Sequence, residues 1–333
     1  MVKKRFNVAS FFSGAGGLDL GFNNAGFKTI FANDNWSGCW ETFEKNHNME
    51  INKNSITEVK KGDIPEVTGF IGGPPCQSWS LAGMMKGVKD PRGKLFYTYM
   101  DLIAKKKPLF FLAENVAGIL SPTHISEFKK IISEFEKVGY NVSYKLLNSK
   151  YFNVPQDRRR VVIVGYRKDL KIKFEFPEDN DEILFLKDSI SDLGEPLPAK
   201  KFNKTNSDDL EPSNHEYFIG DFSSMYMSRN RVRSWDEPSF TIQAGARHAP
   251  IHPQAPTMKL IHPNKRIFVP GKKHLYRRLS VRECARIQTF PDDFKFYYRD
   301  VGDGYKMIGN AVPVKMAEAV AEKIIKDLKA NSN

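Results

Sequence analysis

The sequence predicts an α/β protein in two parts, and three observations carry that reading. A short apolar strand, Phe6 to Phe12, runs straight into the glycine turn Ser13-Gly14-Ala15-Gly16-Gly17. Nearly uninterrupted apolar runs at Leu109 to Ala113 and Val161 to Tyr166 have the composition of central parallel strands covered on both faces. From about Lys171 the texture changes to Pro, Asn, Asp and His with short strand-like pieces and little helical periodicity. Residues 1–175 with 302–333 are therefore read as one domain, and residues 176–301 as a smaller, loop- and strand-rich domain with its hinge.

Taken in order, the glycine turn opens a helix at about Leu18, and Thr29 to Ala32 is the second strand. Gly69 to Gly72 ends a third apolar run just before Pro74-Pro75-Cys76. Helical spacing over His124 to Val138 supplies a crossover between strands. Ser280-Val281-Arg282-Glu283 has the spacing of a capping box and starts a helix through about Thr289. In Val314 to Leu328, Ala317, Val320, Ala321, Ile324, Ile325 and Leu328 recur at helical spacing, so one face of that helix packs on a core.

Composition narrows the partner. The 333 residues are 41% hydrophobic and 27% charged, ordinary for a globular chain, but the net charge of +12 favours a polyanion, with nucleic acid first. Cys39, Cys76 and Cys284 lie far apart, which gives neither a metal-ligand spacing nor a disulfide framework and suits a reducing, cytoplasmic compartment. Leu109 to Ala113 falls far short of the ~20 apolar residues of a membrane span. Met-Val-Lys-Lys-Arg has too short an apolar run behind it for a signal peptide.

The chemistry-bearing residues cluster at strand ends. A glycine turn between a first strand and a helix lets the backbone approach a ligand at the helix N-terminus, and Asp34 follows where an acid can bind ribose hydroxyls. The position five after Gly14 is Asp19 rather than glycine, so a nucleoside-type cofactor fits better than NAD, and tight helix–strand packing is an equal explanation. Asp63, at a plausible third strand end, is either an adenine contact or a turn residue. Glu114 follows a buried strand, where burial favours the protonated form; the alternative is a glutamate that caps a helix or pairs with a lysine. Alternation puts Gln156, Arg158 and Arg160 on one face, as a clamp for a carbonyl oxygen or phosphate or as a solvated basic turn. Cys76, fixed between a proline pair and a polar loop, is a staged nucleophile or a buried structural thiol.

These pieces resemble the ordered motifs of the DNA cytosine-5 methyltransferases. They are Phe12-Ser13-Gly14-Ala15-Gly16-Gly17, Pro74-Pro75-Cys76-Gln77, Glu114-Asn115-Val116 and Gln156-x-Arg158-x-Arg160. The blocks from Arg278 to Pro291 and from Gly304 to Pro313 resemble the last two motifs, so the likeness spans nearly the whole chain. Residues 214–256 are similar to the variable region of the GGCC-modifying, HaeIII-type branch.

The resemblance implies a Rossmann-like S-adenosylmethionine-dependent domain and a DNA-recognition domain. Cys76 would add to the 6-position of an extruded cytosine, Glu114 would serve ring nitrogen 3, and Arg158 and Arg160 would steady the ring oxygen and the thiol side. S-adenosylmethionine would lie against Phe12, Ser13, Gly14, Ala15, Gly16, Gly17 and Leu18, with Asp34 on the ribose, Asp63 and Ile64 at the adenine, and Pro75 and Asn310 completing the pocket. The family has an aromatic residue right after the ribose acid; here that position is Asn35 and Trp36 comes next, so either Trp36 stacks on adenine or that face is less covered. Gln77 to Tyr99 resembles the mobile loop that closes beside the nucleophile.

Arg229, Arg231 and Arg233 alternate on a segment read as extended, and with Arg247 they would meet guanine edges or, less specifically, phosphates. Pro238-Ser239-Phe240-Thr241-Ile242 looks like the Thr–aliphatic anchor of the recognition domain. The implied target is the inner cytosine of GGCC in double-stranded DNA, modified by a monomer whose functional partner is a cognate restriction endonuclease. Two other readings stay open: the same chemistry on RNA, and a cofactor-free DNA-binding module. No histidine stands in a motif that would make Cys76 the nucleophile of a peptidase.

Overall fold

Apolar strands with little alternation stack side by side in one sheet, and their carboxyl ends carry the polar motifs. The computed structural model describes residues 6–75, 91–206 and 210–331, with residues 91–94 described by backbone only. Cys76 and the greater part of the Gln77 to Tyr99 segment lie outside the described residues. The chain divides into two compact units: Met1–Asn148 with Arg159–Glu178 and Met316–Asn333, and Ser149–Arg158 with Asp179–Lys315.

The first unit contains β1 (Asn7–Phe11), α1 (Gly17–Asn24), β2 (Lys28–Asn33), α2 (Ser37–His47), β3 (Gly69–Gly72), α3 (Pro91–Lys106), β4 (Phe110–Val116), α4 (Ile125–Lys137), β5 (Tyr140–Asn148) and β6 (Arg159–Arg167). Six strands form one sheet in the order β2-β1-β3-β4-β6-β5. The first four neighbours pair in parallel, and β6 runs antiparallel to both β4 and β5. The parallel central strand expected at Val161 to Tyr166 is therefore central but reversed. Its chain arrives from the adjacent β5 without a crossover helix, and antiparallel neighbours need none. The strand at β5 was not legible because its middle is exposed or half-buried, with Tyr144 and Leu146 facing outward.

Packing explains the helices. Phe96, Tyr99, Met100 and Ile103 recur at helical spacing and are buried against Phe11, Phe70 and Phe111 of the sheet, which makes Pro91–Lys106 a helix. The loop expected to reach Tyr99 therefore gives way to helix at Pro91, a residue suited to a first helical position. Tyr99 fixes the helix to the sheet by donating its hydroxyl to the Leu112 carbonyl at 2.9 Å. The C-terminal helix α7, introduced below, buries Ala317, Val320, Ala321, Ile324, Ile325 and Leu328, as its spacing predicts.

The second unit has no strand longer than four residues among those described. Besides the one-turn helix Lys187–Ile190, its helices are α5 (Val281–Ile287) and α6 (Val301–Asn310), and α7 (Val314–Ala330) starts in it. The capping box at α5 is present in both directions, with the Glu283 N–H on Ser280 Oγ at 3.0 Å and the Ser280 N–H on the Glu283 carboxylate at 2.6 Å. Residues 149–158 and 302–315, which sequence reading puts with the first domain, pack within this unit. Gln156–Asp157 pairs with Ser239–Phe240, and a Cβ on Gly309 would meet the Gln243 carbonyl carbon at 2.3 Å, so only glycine lets α6 approach that backbone. No helix among the described residues is long and apolar enough to cross a membrane.

Candidate active site

The glycine turn is tied to the end of β2. After β1, Phe12 takes a left-handed backbone with φ 54°, followed by Gly14 at 56° and Gly16 at 85°. The Gly14 N–H donates to Asp34 Oδ2 at 2.9 Å and the Trp36 N–H donates to Oδ1 at 2.9 Å, so both carboxylate oxygens are held by backbone. At Gly14 a Cβ would meet nothing within 4 Å, whereas at Gly16 it would lie 2.0 Å from His47 Nε2. The turn is thus open on one side and packed on the other. Phe12, Ser13 and Gly14 are half-buried on it, and Ala15, Gly16, Gly17 and Leu18 are buried.

Beneath the turn, Ser13 Oγ donates to Ser10 Oγ at 3.0 Å, and Ser10 donates to Asp19 Oδ2 at 3.0 Å. Thr29 Oγ1 donates to the other Asp19 oxygen at 3.3 Å. Burial pushes the Asp19 carboxyl up to about 7, against the hydrogen bonds that favour its charge. The residue that breaks the dinucleotide spacing is therefore an internal strut, joining β1 and β2 to α1. His47, stacked on Phe43 with centroids 4.4 Å apart, is pushed down to about 4 by burial and is kept neutral under the turn.

Around Asp34, Asn35 is exposed and Trp36 is half-buried, its ring lying over Gly38 where a Cβ would fall 2.4 Å from it. Asp63 does not end a strand. It sits in a short helical turn, Lys61–Asp63, exposed, and accepts from the Lys60 N–H at 2.8 Å. β3 does not begin until Gly69, so Asp63 has the local capping role of a turn residue. Ile64 is buried in the sheet's core cluster, against which Phe12 and Phe31 pack.

The carboxyl ends of β3 and β4 meet at Glu114. Asn115 Nδ2 donates to the Pro74 carbonyl at 3.0 Å and fixes the Gly73-Pro74-Pro75 segment that leads to Cys76. Glu114 is 9% exposed, and Arg160 Nε lies 2.9 Å from its Oε1. Register accounts for this pair: Glu114 lies opposite Val162 and Val116 opposite Arg160, which puts Glu114 and Arg160 on one face as diagonal neighbours. A Cβ on Gly73 would stand 3.5 Å from Glu114 Oε2, so the second oxygen faces the proline segment across a glycine. A carboxyl group steadied by arginine on one oxygen, beside a rigid segment, can hold a hydrogen bond or a proton at a fixed point.

A family profile for C-5 cytosine-specific DNA methylases matches residues 6–326, across the turn, Glu114, Arg160 and the whole second unit. The chain belongs to that family. Among curated relatives, the methylase is 64% identical to the Type II methyltransferase M.MthTI of Methanothermobacter thermautotrophicus, with 98% of this chain and 99% of that one covered. It is 55% identical to the Type II methyltransferase M.FnuDI of Fusobacterium nucleatum, covering 95% and 93%. Its fold is similar to that of S. pombe Dnmt2 methyltransferase, with TM-score 0.69, 20% identity and coverage of 97% and 99%. Methyl transfer to cytosine carbon 5 of DNA, in the modification arm of restriction–modification, is thus the methylase's activity.

The second unit of the methylase treats its predicted residues unevenly. Arg158 does not share a clamp face with Arg160: it is 1% exposed, and its guanidinium donates to the carbonyls of Ile242, Gly309 and Ala311 at 2.9 to 3.0 Å. Strand alternation fails because residues 149–158 leave the sheet. Gln156, also buried, donates to Gln288 and accepts from the Ile242 N–H. Thr241 Oγ1 donates to the Asp157 carbonyl at 2.7 Å, so the Thr–aliphatic pair does anchor this segment. Asn310 is exposed at the end of α6.

The arginine ladder is not one face. Arg229 and Arg247 are exposed, Arg231 Nε donates to the Tyr226 carbonyl at 2.9 Å with its guanidinium over the Tyr226 ring, and Arg233 pairs with Glu237 at 2.7 Å. The turn at Tyr226–Ser228 and the local demands of Glu237 override the alternation. Sequence reading missed the positioning parts, Asn115, Asp19 and His47. Asn115 had a signal, since it adjoins Glu114 within the same block; Asp19 and His47 act through packing that sequence spacing does not show.

Proposed function

We propose that the protein methylates the inner cytosine of GGCC in double-stranded DNA with S-adenosylmethionine as donor. The observation that carries the catalytic part is the Glu114–Arg160 pair beside the Asn115-anchored proline segment. By the family resemblance, the Cys76 thiolate adds to carbon 6 of an extruded cytosine while Glu114 bonds nitrogen 3 and takes up the developing charge. Carbon 5 is thereby made nucleophilic toward a donor methyl; once it is methylated its proton would pass to water, the Cys76 thiolate would leave carbon 6, and nitrogen 3 would return its proton to Glu114, which restores the ring. Arg160 keeps Glu114 aimed, and the buried setting strengthens both interactions.

The residues present fit the donor. Gly14 leaves open space where a side chain would stand, and the Asp34 carboxylate is preset by two backbone N–H groups next to it, suited to ribose hydroxyls. S-adenosylmethionine supplies an electrophilic methyl group when bound. Phe12 and Ser13 line the same turn, and Trp36 rather than exposed Asn35 offers an aromatic face.

For the target, exposed Arg229 and Arg247 together with Arg231, held at Nε by Tyr226, supply the fork-shaped donors that read guanine edges. The enzyme acts as a monomer in the cytoplasm, and its functional partner is an endonuclease cutting the same sequence. Bisulfite sequencing of DNA from a methylation-free host expressing the protein tests the reading: the inner cytosine of GGCC should be protected. Protection at another sequence would refute the specificity.

A further inference from the structure

Residues 259–274, from Lys259 to His274, hold five lysines and arginines and no aspartate or glutamate. They begin as an antiparallel hairpin, Lys259–His262 against Lys265–Ile267, turning at Asn264 with φ 61°. Lys259, Lys265, Lys272 and Lys273 are exposed, and no ion pair joins them to a carboxylate of the described residues. Elsewhere in the same unit, surface lysines do pair: Lys187 holds Asp236 at 2.6 Å and Lys204 holds Asp300 at 3.0 Å. Between these cations Leu260 and Ile261 stand 56% and 47% exposed, an apolar pair with no covering group in the hairpin.

The hairpin is not loosely attached. Phe268, one residue past its second strand, stacks on Tyr276 with centroids 4.2 Å apart and meets Phe222 edge-on at 5.0 Å. Phe222 packs on Tyr226 at 5.1 Å, and Tyr226 carries Arg231 over its ring at 4.7 Å. One aromatic cluster thus fixes both the lysine hairpin and the arginine segment, so a duplex held by Arg229 and Arg231 meets a hairpin already in place.

We propose that this hairpin is a second DNA-binding surface, gripping backbone phosphates of the duplex that flanks the methylated site. The inference rests on the reading of the arginine segment as the target reader. Lysines are point charges without the forked geometry that reads a base edge, so the surface adds affinity and footprint rather than sequence choice. Its uniform sign favours a polyanion, and the exposed Leu260–Ile261 pair suits the apolar edge of the sugars between phosphates.

The test uses the full chain and two duplexes carrying one methylation site, one with long flanks and one trimmed to the site. In K259Q/K265Q and K272Q/K273Q proteins, affinity for the long duplex should fall about tenfold at low salt. The slope of log K against log salt should shrink by about 0.9 for each phosphate that is no longer neutralised. Binding to the trimmed duplex, kcat and the methylated sequence should not change, and K259R/K265R should keep the parent slope. An unchanged slope in the glutamine variants overturns the proposal, as does an equal loss on both duplexes or failure of the arginine variant. A parent dimer in sedimentation that the glutamine variants break would assign the face to a second copy instead and also overturn it. If bisulfite sequencing finds a target other than GGCC, that target is placed in both duplexes, so the specificity reading can fail while the flank test stands.

Discussion

The two units hold their functional side chains by different means. In the first, strand ends set Asp34 and Glu114, and regular pairing places Arg160 diagonally from Glu114. In the second, where strands are two to four residues long, buried arginines do the joining. Arg158 donates to the carbonyls of Ile242, Gly309 and Ala311; Arg282 to those of Ser213, Pro291 and Phe294; and Arg278 to those of Gly220 and Asp221. A guanidinium with several fixed donors satisfies carbonyls that no neighbouring strand reaches. The lesson is that burial separates these arginines: Arg158, Arg278 and Arg282, buried where strands are short, hold backbone carbonyls in place, whereas Arg160 on a sheet strand pairs with a carboxylate.

The comparison can be broken most severely at Glu114. Glu114→Gln should lower methyl transfer by a factor of roughly 100 to 10,000 while near-UV circular dichroism stays that of the parent. Equal turnover in the variant would remove Glu114 from the chemistry. Next comes Arg158→Met, which takes the side-chain donor from the buried Ile242 and Gly309 carbonyls and leaves Ala311 with Gln288 alone, and should cost about 3 kcal/mol in denaturant unfolding. If Arg158→Met instead keeps its stability and loses only turnover, Arg158 is a ligand group and the contrast between the units fails.

Much of the first unit was legible because sheet regularity is written in the chain. Gly69–Gly72 is the strand the apolar run predicts, and the helix at Ile125–Lys137 matches its spacing within a residue or two. What was hidden lay in packing across sequence distance. The Asp19 carboxyl needs Ser10 and Thr29 brought to it by two strands, and β5 is an edge strand whose exposed middle has no apolar signature. The second unit was legible in its capping box, a short-range pattern, and in its Thr–aliphatic anchor, which the family resemblance supplied. The shared faces expected for Arg158 with Arg160 and for Arg229, Arg231 and Arg233 do not form, because alternation says which way a side chain points only if the segment is a strand.

Smaller effects sharpen the same contrast. Arg229→Ala should cost about 1 to 3 kcal/mol of discrimination between GGCC and a site with one guanine changed, read from competition binding. Arg233→Ala, which loses a partly exposed pair with Glu237, should change discrimination little. A large loss at Arg233 would restore the ladder as one reading face. The mildest test is pH. Asp19 has a folded pKa raised from 3.8 to about 7, so the stability it contributes is present below the unfolded value and is lost as pH rises through the folded one. Between pH 6 and pH 7 the parent should lose about 1 kcal/mol relative to Asp19→Asn in urea unfolding. Parallel pH profiles would show that Asp19 is not the titrating strut.

The central claim is that a thiolate at the end of the proline segment, served by Glu114, forms a transient bond to cytosine. It is tested most directly by incubating the protein and S-adenosylmethionine with a duplex carrying 5-fluorocytosine at the inner position of GGCC, then counting denaturation-resistant protein–DNA complex. The account predicts a stable complex with the parent, none with Cys76→Ala, and sharply less with Glu114→Gln. A complex that forms equally well without Cys76, or none with the parent on a duplex it demonstrably methylates, would contradict it.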